Sequence, residues 1–209
     1  EKTLVAIDSG ANVNFDRLRH VSERAELGEQ REAIIAAKIP EKPGSFKQFC
    51  KVLGQRMITE FNYRYSDDSD AVVFAGVQIR PGGEDRQELL RELGEHIDEV
   101  EDLSDDEIAK LHVRYMVGGH APATLDNEVI YRFEFPERPG ALMRFLNKLG
   151  GRWNISLFHY RNHGAAYGRV LVGMQVPVDE RPKVGQFLEE IGYHYSEETD
   201  NRAYQLFLN

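Results

Sequence analysis

The sequence predicts an α+β fold in which one β-α-β-β-α-β unit occurs twice. The first observation is an internal repeat: I-P-E-K-P-G-S-F-K-Q-F-C-K-V-L-G at 39–54 returns as F-P-E-R-P-G-A-L-M-R-F-L-N-K-L-G at 135–150. The second is that short β-prone runs alternate with stretches of helical apolar spacing in both copies. The repeat is too long for a solenoid and is typical of a duplicated globular unit.

Each element of the first copy follows from a local pattern. Pro43-Gly44 ends an apolar, β-prone run and begins a stretch in which Phe46 and Phe49 have helical spacing. Gly54 is predicted to end this helix. The predicted elements are strand Ala33–Ile39, helix Ser45–Leu53, strands Met57–Tyr65 and Ala71–Ile79, helix Glu84–Leu93 and strand Ile97–Val100.

The second copy repeats this order, which is the ferredoxin-like plan. Its predicted elements are Val129–Phe135, Ala141–Leu149, Asn154–Arg161, Arg169–Val176, Lys183–Ile191 and Tyr193–Tyr195. An apolar stretch follows each copy, and we expect both, Leu111–Val117 and Ala203–Leu208, to form an extra strand. The predicted units are residues 31–117 and 128–209, joined by a linker at 118–127.

Both faces of the third strand are largely apolar, as Val73 and Val77 on one side and Val72 and Phe74 on the other show. We therefore expect antiparallel sheets with helices on one face and with the other face packed on the sister unit or another subunit. This arrangement predicts that the chain assembles with further copies.

Residues 1–30 lie outside the repeat. A turn at Ser9–Asn12 precedes a predicted helix, Asn14–Glu29, with an apolar stripe. We interpret the segment as the tail of a missing domain and a helical neck, and the alternative is an ordinary N-terminal helical arm.

Composition disfavours several kinds of partner. The net charge is -9, whereas nucleic acids and anionic membranes attract clustered Lys and Arg. The sequence has no apolar run near the roughly 20 residues that a membrane helix requires. Cys50 is the single cysteine, which excludes an internal disulfide and suits a cytoplasmic protein.

Two features of the repeat are candidate binding sites. Gly44 and Gly140 lie where a strand gives way to a helix, and the N–H groups of a helix start suit a small carboxylate. Tyr63-Arg64 recurs as Tyr160-Arg161, and alternation places Arg64 on the opposite strand face from Tyr63. The alternatives are a tight turn at the glycines, and interface packing and ion pairing at the Tyr-Arg pairs.

At these motifs the chain resembles the C-terminal regulatory domain of biosynthetic threonine deaminase (threonine ammonia-lyase), a pair of ACT-like modules. The specific stretches are P-E-[KR]-P-G, F-N-Y-R and F-H-Y-R, the run at 102–119 that ends in H-V-R-Y-M-V-G-G, and I-S-L-F-H-Y-R. Residues 9–15 and 21–29 resemble the end of the catalytic domain and the neck, so the resemblance covers essentially the whole chain.

The resemblance implies an allosteric role. Family members form tetramers that convert threonine to 2-oxobutyrate with pyridoxal phosphate, and isoleucine inhibits while valine opposes it. By motif match, Tyr63 and Tyr160 correspond to effector-contacting tyrosines. Arg114, Arg161 and, by repeat symmetry, Arg64 correspond to regulatory arginines. No catalytic residue or cofactor is expected in this part of the protein, since pyridoxal phosphate belongs to the catalytic domain.

Other residues are weaker candidates. S-F-K at 45–47 echoes the cofactor lysine motif of this enzyme class, but the sister copy has A-L-M and no glycine cluster follows. We therefore expect Lys47 to be non-catalytic and Cys50 to be a core residue. His159 and His163 do not predict a metal site, and the acidic stretch Asp98–Glu107 is expected to be a solvated edge. A structural oligomerisation domain without ligand is the alternative function, and nucleic-acid binding through the sheet is disfavoured by charge.

Overall fold

The computed structural model describes residues 17, 18, 21, 25, 31–66, 69–116, 118–162 and 167–209. They contain one antiparallel sheet of eight strands in the order β4-β1-β3-β2-β6-β7-β5-β8. The first unit comprises β1 (Glu32–Pro40), α1 (Ser45–Leu53), β2 (Ile58–Arg64), β3 (Asp70–Gln78), α2 (Glu84–Gly94), β4 (Glu99–Asp102) and α3 (Glu107–Leu111). The second comprises β5 (Glu128–Pro136), α4 (Ala141–Leu149), β6 (Asn154–Arg161), β7 (Tyr167–Gln175), α5 (Arg181–Ile191), β8 (His194–Glu197) and α6 (Arg202–Phe207).

The predicted β-α-β-β-α-β order is confirmed in both units. Helices α1, α2, α4 and α5 cover one face of the sheet, because their apolar positions recur at helical spacing. Phe49 and Leu89 of the first unit and Phe145 and Phe187 of the second are almost fully buried there. These side chains belong to one continuous core that runs beneath both units.

The two units join edge to edge. Strand β2 pairs antiparallel with β6, in a register that sets Asn62 opposite His159 and Glu60 opposite Arg161. Helices α1 and α4 also pack against each other across this boundary. The expectation that the sister unit covers the second face of the sheet was therefore wrong, because the sister unit extends the sheet instead of stacking on it.

The predicted extra strands were also wrong. Leu111–Val117 lies in the end of α3 and a 3-10 turn, Val113–Tyr115, with Val117 outside the described residues, and Ala203–Leu208 lies in α6. The cause is N-capping: the Asp106 carboxylate accepts the Ala109 N–H at 2.7 Å, and the Asn201 side-chain oxygen accepts that of Ala203 at 2.9 Å.

Helices therefore lie on both faces of the sheet rather than on one. Ala109 of α3 packs on Ile34 and Phe74, on the face opposite α1 and α2. Tyr204 of α6 packs on Ile130 and Leu157 in the equivalent place of the second unit. The apolar second face that the sequence predicts is thus covered in part by the chain itself.

The predicted turn at Ser9–Asn12 lies outside the described residues, and so does most of the predicted helix Asn14–Glu29. The four residues of that segment that are described, Arg17, Leu18, Val21 and Ala25, are helical. Within the described part of the chain, no helix is long and apolar enough to cross a membrane.

Candidate functional site at the unit boundary

Each P-E-x-P-G loop connects a strand to an uncapped helix start. Gly44 and Gly140 precede α1 and α4 with φ of 95° and 87°, in the left-handed region that favours glycine. In the described structure, a Cβ added at either glycine would meet nothing within 4 Å. Backbone conformation therefore explains both glycines, and each leaves open space in front of the first turn of a helix.

A tyrosine of the adjoining strand binds the glutamate of each loop. The Tyr160 hydroxyl donates to Glu137, with oxygen distances of 2.9 and 2.7 Å to the two carboxylate oxygens. Tyr63 donates to Glu41 in the same way. Burial, and then the hydrogen bond to Glu137 and its charge, raise the pKa of Tyr160, so its hydroxyl stays protonated and donates.

A cavity of about 80 Å³ lies between the second loop and the first unit. Tyr160, Gly140 and Leu142 line it on one side, and Gly54, Met57 and Ile58 of the first unit line the other. That volume holds about six water-sized groups, which matches a small branched side chain. The walls are mainly apolar, and the polar groups belong to the helix start, Glu137, Arg138 and Arg56.

Two side chains that line this cavity, those of Arg56 and Cys50, do not present a reactive group to it. Arg56 binds Glu92 at 2.7 Å and Asp85 at 3.5 Å, so its charge is directed towards α2. Cys50 is buried, and burial raises the pKa of its thiol far above the ordinary value. A thiol held protonated is a small apolar wall rather than a nucleophile.

The arginines lie on the opposite face of the sheet from the tyrosines. Phe61 and Tyr63 belong to the main core, whereas Arg64 points to the face of α6, so the predicted alternation is confirmed. The Arg64 guanidinium binds Glu128 at 2.5 and 3.1 Å and the Leu208 carbonyl at 2.5 Å. The sheet thus separates Arg64 from the cavity.

Arg114 and Arg161 lie on the same sheet face as Arg64, but beside the first unit. Arg114 belongs to that unit, and Arg161 reaches it from the end of β6. Arg114 binds Glu60 at 3.0 Å and Glu32 at 3.2 Å, and all three side chains are buried. Burial raises the pKa of Glu60 to about 7, although Arg114 and Arg161 lower it. The Arg161 guanidinium carbon lies 4.4 Å from the centre of the Tyr115 ring. The structure therefore places the predicted tyrosines beside the loops on one face of the sheet and the predicted arginines on the other face.

The remaining candidates have structural explanations. Lys47 is half-buried on α1, without the glycine cradle that a phosphate cofactor needs. Arg86 binds Asp102 at 2.7 Å and Asp105 at 2.8 Å, which accounts for part of the acidic stretch Asp98–Glu107. His163 lies outside the described residues, and the described ones hold no cluster of three metal-ligating side chains.

Sequence reasoning missed Glu41 and Glu137 as partners of the tyrosines. Both glutamates were visible in the repeat, at the second position of P-E-x-P-G. Their retention in both copies, next to a retained tyrosine, was the signal that could have paired them.

Two β-α-β-β-α-β units on one chain, with a small cavity at their boundary, define a tandem ACT-like module. The chain belongs to the family described as the C-terminal regulatory domain of threonine dehydratase, whose model matches residues 23–113 and again 119–208. The two matches correspond to the two repeats.

The relatives of the chain are biosynthetic threonine dehydratases. It is 57% identical over 205 residues to L-threonine dehydratase biosynthetic IlvA of Escherichia coli, covering 98% of this chain and 40% of that protein. The match to the Burkholderia multivorans protein of the same name is 55% over 208 residues, covering 100% and 41%. The chloroplastic enzyme of Arabidopsis thaliana is 45% identical, covering 99% and 34%. The chain thus spans about two fifths of its bacterial relatives.

Solved structures give a weaker likeness. The small subunit of acetolactate synthase from Thermotoga maritima has a TM-score of 0.30 and 10% identity, covering 80% of this chain and 97% of that one. A likeness at this level has no bearing on function.

Proposed function

We propose that this domain binds isoleucine and valine and thereby regulates a threonine dehydratase. In this proposal the whole protein converts threonine to 2-oxobutyrate and ammonia with pyridoxal phosphate, isoleucine inhibits it, and valine opposes isoleucine. The observation that carries the proposal is the apolar cavity beside Tyr160 at the boundary between the units. A ligand there contacts both units and can bias how they pack.

The chemistry of the cavity suits a branched-chain amino acid. Its volume of about 80 Å³ and apolar walls accommodate the side chain. The effector carboxylate would face the first turn of α4, where Gly140 provides no side-chain cap and the helix dipole favours an anion. The ammonium group would face the Glu137 carboxylate, which lines the same cavity.

The first loop has the same parts: Gly44, the start of α1 and Tyr63. Arg64, Arg114 and Arg161 lie beyond the sheet from these loops. In the proposal Arg64 and Arg161 support the effector response by joining the two units, through Glu128 and the Tyr115 ring. Arg114 holds the first two strands of the first unit together through Glu32 and Glu60.

The described residues do not fit pyridoxal phosphate. Lys47 lies on α1 and faces neither a glycine-rich phosphate cradle nor an enclosed pocket. The chemical step is therefore assigned to the part of the relatives that this chain does not span. The neck predicted from the sequence at 14–29 and contacts within a homo-oligomer would transmit the effect, at a coupling of about 1–3 kcal/mol.

Isothermal titration calorimetry with isoleucine, valine and leucine tests the binding. We expect saturable heat with isoleucine and valine, and weaker isoleucine binding in Leu142→Phe, which fills the cavity. Tyr195→Phe, on a strand at the far edge of the sheet, is the matched control and should bind as the wild type does. A folded protein that gives no heat and no thermal shift with any of the three would contradict the proposal and favour a structural oligomerisation domain.

A further inference from the structure

We infer that Glu60 and Asn62 form a proton-controlled latch on the segment that joins the two units. That segment, residues 112–116 and 118–122, is named the strap, and it runs from α3 across the second face of the sheet towards β5. The latch concerns the joint between the units, so it goes beyond effector binding and does not depend on it. Its signal is a proton, and the part that moves is the Asn62 amide.

The strap is held by contacts from both units. The Asn62 amide of the first unit donates to the Met116 carbonyl. From the second unit, the Arg161 guanidinium carbon lies 4.4 Å from the centre of the Tyr115 ring. The Ala121 N–H donates at 2.9 Å to the carbonyl that follows α6. Whatever holds Met116 therefore affects how firmly the two units are joined.

Two acceptor atoms beneath the strap lack a donor among the described residues. Glu60 Oε1 and Asn62 Oδ1 are both buried, and a buried acceptor without a hydrogen bond is costly. Their residues lie two positions apart on one face of β2, about 7 Å along the strand, which a glutamate side chain can span. Glu60 Oε2 already accepts from Arg114, so the proton belongs on Oε1. That proton then satisfies both oxygens, because Glu60 donates it to Asn62 Oδ1.

The charged groups around Glu60 allow it to gain and lose this proton near neutral pH. Burial raises the pKa of Glu60 to about 7; Glu32 on β1 adds to the rise, while Arg114 of the strap and Arg161 of β6 oppose it. On β6 the next residue of this face is His159, and β3 places an uncharged glycine opposite Glu60. Glu60 is thus protonated below about pH 7 and ionised above it.

The proton determines the orientation of the Asn62 amide. When Glu60 is protonated, its O–H donates to Asn62 Oδ1, and the amide NH₂ is directed to the Met116 carbonyl, where the structure has it. When Glu60 is ionised, Oε1 can only accept, so the amide turns over and donates to it. Asn62 Oδ1 then faces the Met116 carbonyl, and two acceptors repel each other. The strap is therefore held in one state and released in the other.

The second unit replaces both residues of the latch and serves as an internal comparison. Leu157 stands where the first unit has Glu60, and His159 stands where it has Asn62. The buried carboxylate of that unit, Glu128, accepts a two-point bond from an arginine and bonds from two hydroxyl groups. The pH response should therefore be confined to the strap and should not extend to α6.

Hydrogen exchange of the full-length protein, followed by mass spectrometry and corrected for the intrinsic exchange rate, tests the latch. Between about pH 5.5 and about pH 8.5, we expect the protection of strap peptides to fall about fivefold to tenfold, the size expected for one lost hydrogen bond. Peptides of α6 are the control and should keep their protection. Constant protection of the strap, or an equal loss in α6, would overturn the inference.

Two variants separate the proton from the amide. Glu60→Gln copies the protonated state, because its NH₂ can donate to Asn62 Oδ1 while its oxygen accepts from Arg114. Its strap should stay protected at every pH. Asn62→Ala removes the bond to Met116, and its strap should exchange faster at every pH. A strap that keeps the wild-type pH response in either variant would refute the latch.

The measurement contains no effector, so its outcome is independent of the proposed function. If isoleucine does not bind, the proposed function fails and the latch stands. If the strap does not respond to pH, the latch fails and the proposed function stands.

Discussion

Arg64 and Glu128 form a two-point ion pair across the boundary between the units, with N–O distances of 2.5 and 3.1 Å. Arg64 ends β2 of the first unit and Glu128 begins β5 of the second. The exposed fractions of the two side chains are only 4% and 6%. Tyr204 and Ser156 also donate to Glu128, so the pair anchors both units and α6 together.

Arg64→Met should destabilise the protein by about 3–5 kcal/mol, because it leaves a buried carboxylate without its counter-charge. Arg64→Met with Glu128→Gln should recover part of this loss, since the amide oxygen still accepts from Tyr204 and no buried charge is left. Urea denaturation measures both. Arg132→Met breaks a half-exposed pair with Glu198 at 3.1 Å and, as the control, should cost under about 1 kcal/mol.

The stability should depend on pH through Glu60. Its folded pKa is about 7, against 4.5 for a free glutamate, so the folded state binds this proton more tightly than the unfolded state does. This contribution is fully present below pH 4.5 and is lost as the pH rises through about 7. The unfolding free energy lost in this way is at most about 3 kcal/mol.

Denaturation at a series of pH values measures this effect. Glu60→Gln removes the titrating group and should flatten the decline in unfolding free energy between pH 5 and pH 8. A variant that keeps the full wild-type slope would show that other groups, not Glu60, govern this range.

Gly118→Ala should be more destabilising than Gly119→Ala. Both glycines have positive φ, of 68° and 91°, so alanine is strained by about 1 kcal/mol at either. A Cβ on Gly118 would in addition lie 2.5 Å from the Arg64 Cβ, whereas one on Gly119 meets nothing within 4 Å in the described structure. Thermal unfolding of both variants checks the order, and equal costs would contradict a close approach of this linker to Arg64.

Asn201→Ala should cost about 1 kcal/mol, because its side-chain oxygen accepts the N–H groups of Ala203 and Tyr204 at the start of α6. Loss of this cap should also expose amides of α6 and the C-terminal residues to hydrogen exchange. Hydrogen exchange followed by mass spectrometry would show it. Unchanged protection would mean that packing of Tyr204 alone holds the helix.

The repeating elements could be predicted because their patterns are local. The spacing of Phe46 and Phe49 and the Pro-Gly that precedes them determine α1, and the same signals determine α4. The short helices α3 and α6 were missed because an apolar run of about six residues suits a strand or a helix equally. Their caps, Asp106 and Asn201, are each a single polar residue whose bonds appear only in the folded chain.

The site was predicted in part. Sequence repetition selected Tyr63, Tyr160 and the two loop glycines, but strand alternation could not say which arginine would meet which carboxylate. Those pairings depend on the β2–β6 register, which is a long-range contact. The same register brings Gly151 and Asn154 of the second unit against the first loop, which no local pattern indicates.

The pairing of β2 with β6 also determines which strand edges of the sheet stay unpaired. In a single unit β2 would be an edge strand with unpaired backbone groups, on which further chains could add strands. Here the only strands left at the sheet margins, among those described, are β4 and β8, each of four residues. On β4, Glu99 is paired with Lys38 and Asp102 with Arg86, so both margins are short and rich in charge. Duplication on one chain thus pairs the strand edges that a lone unit would expose.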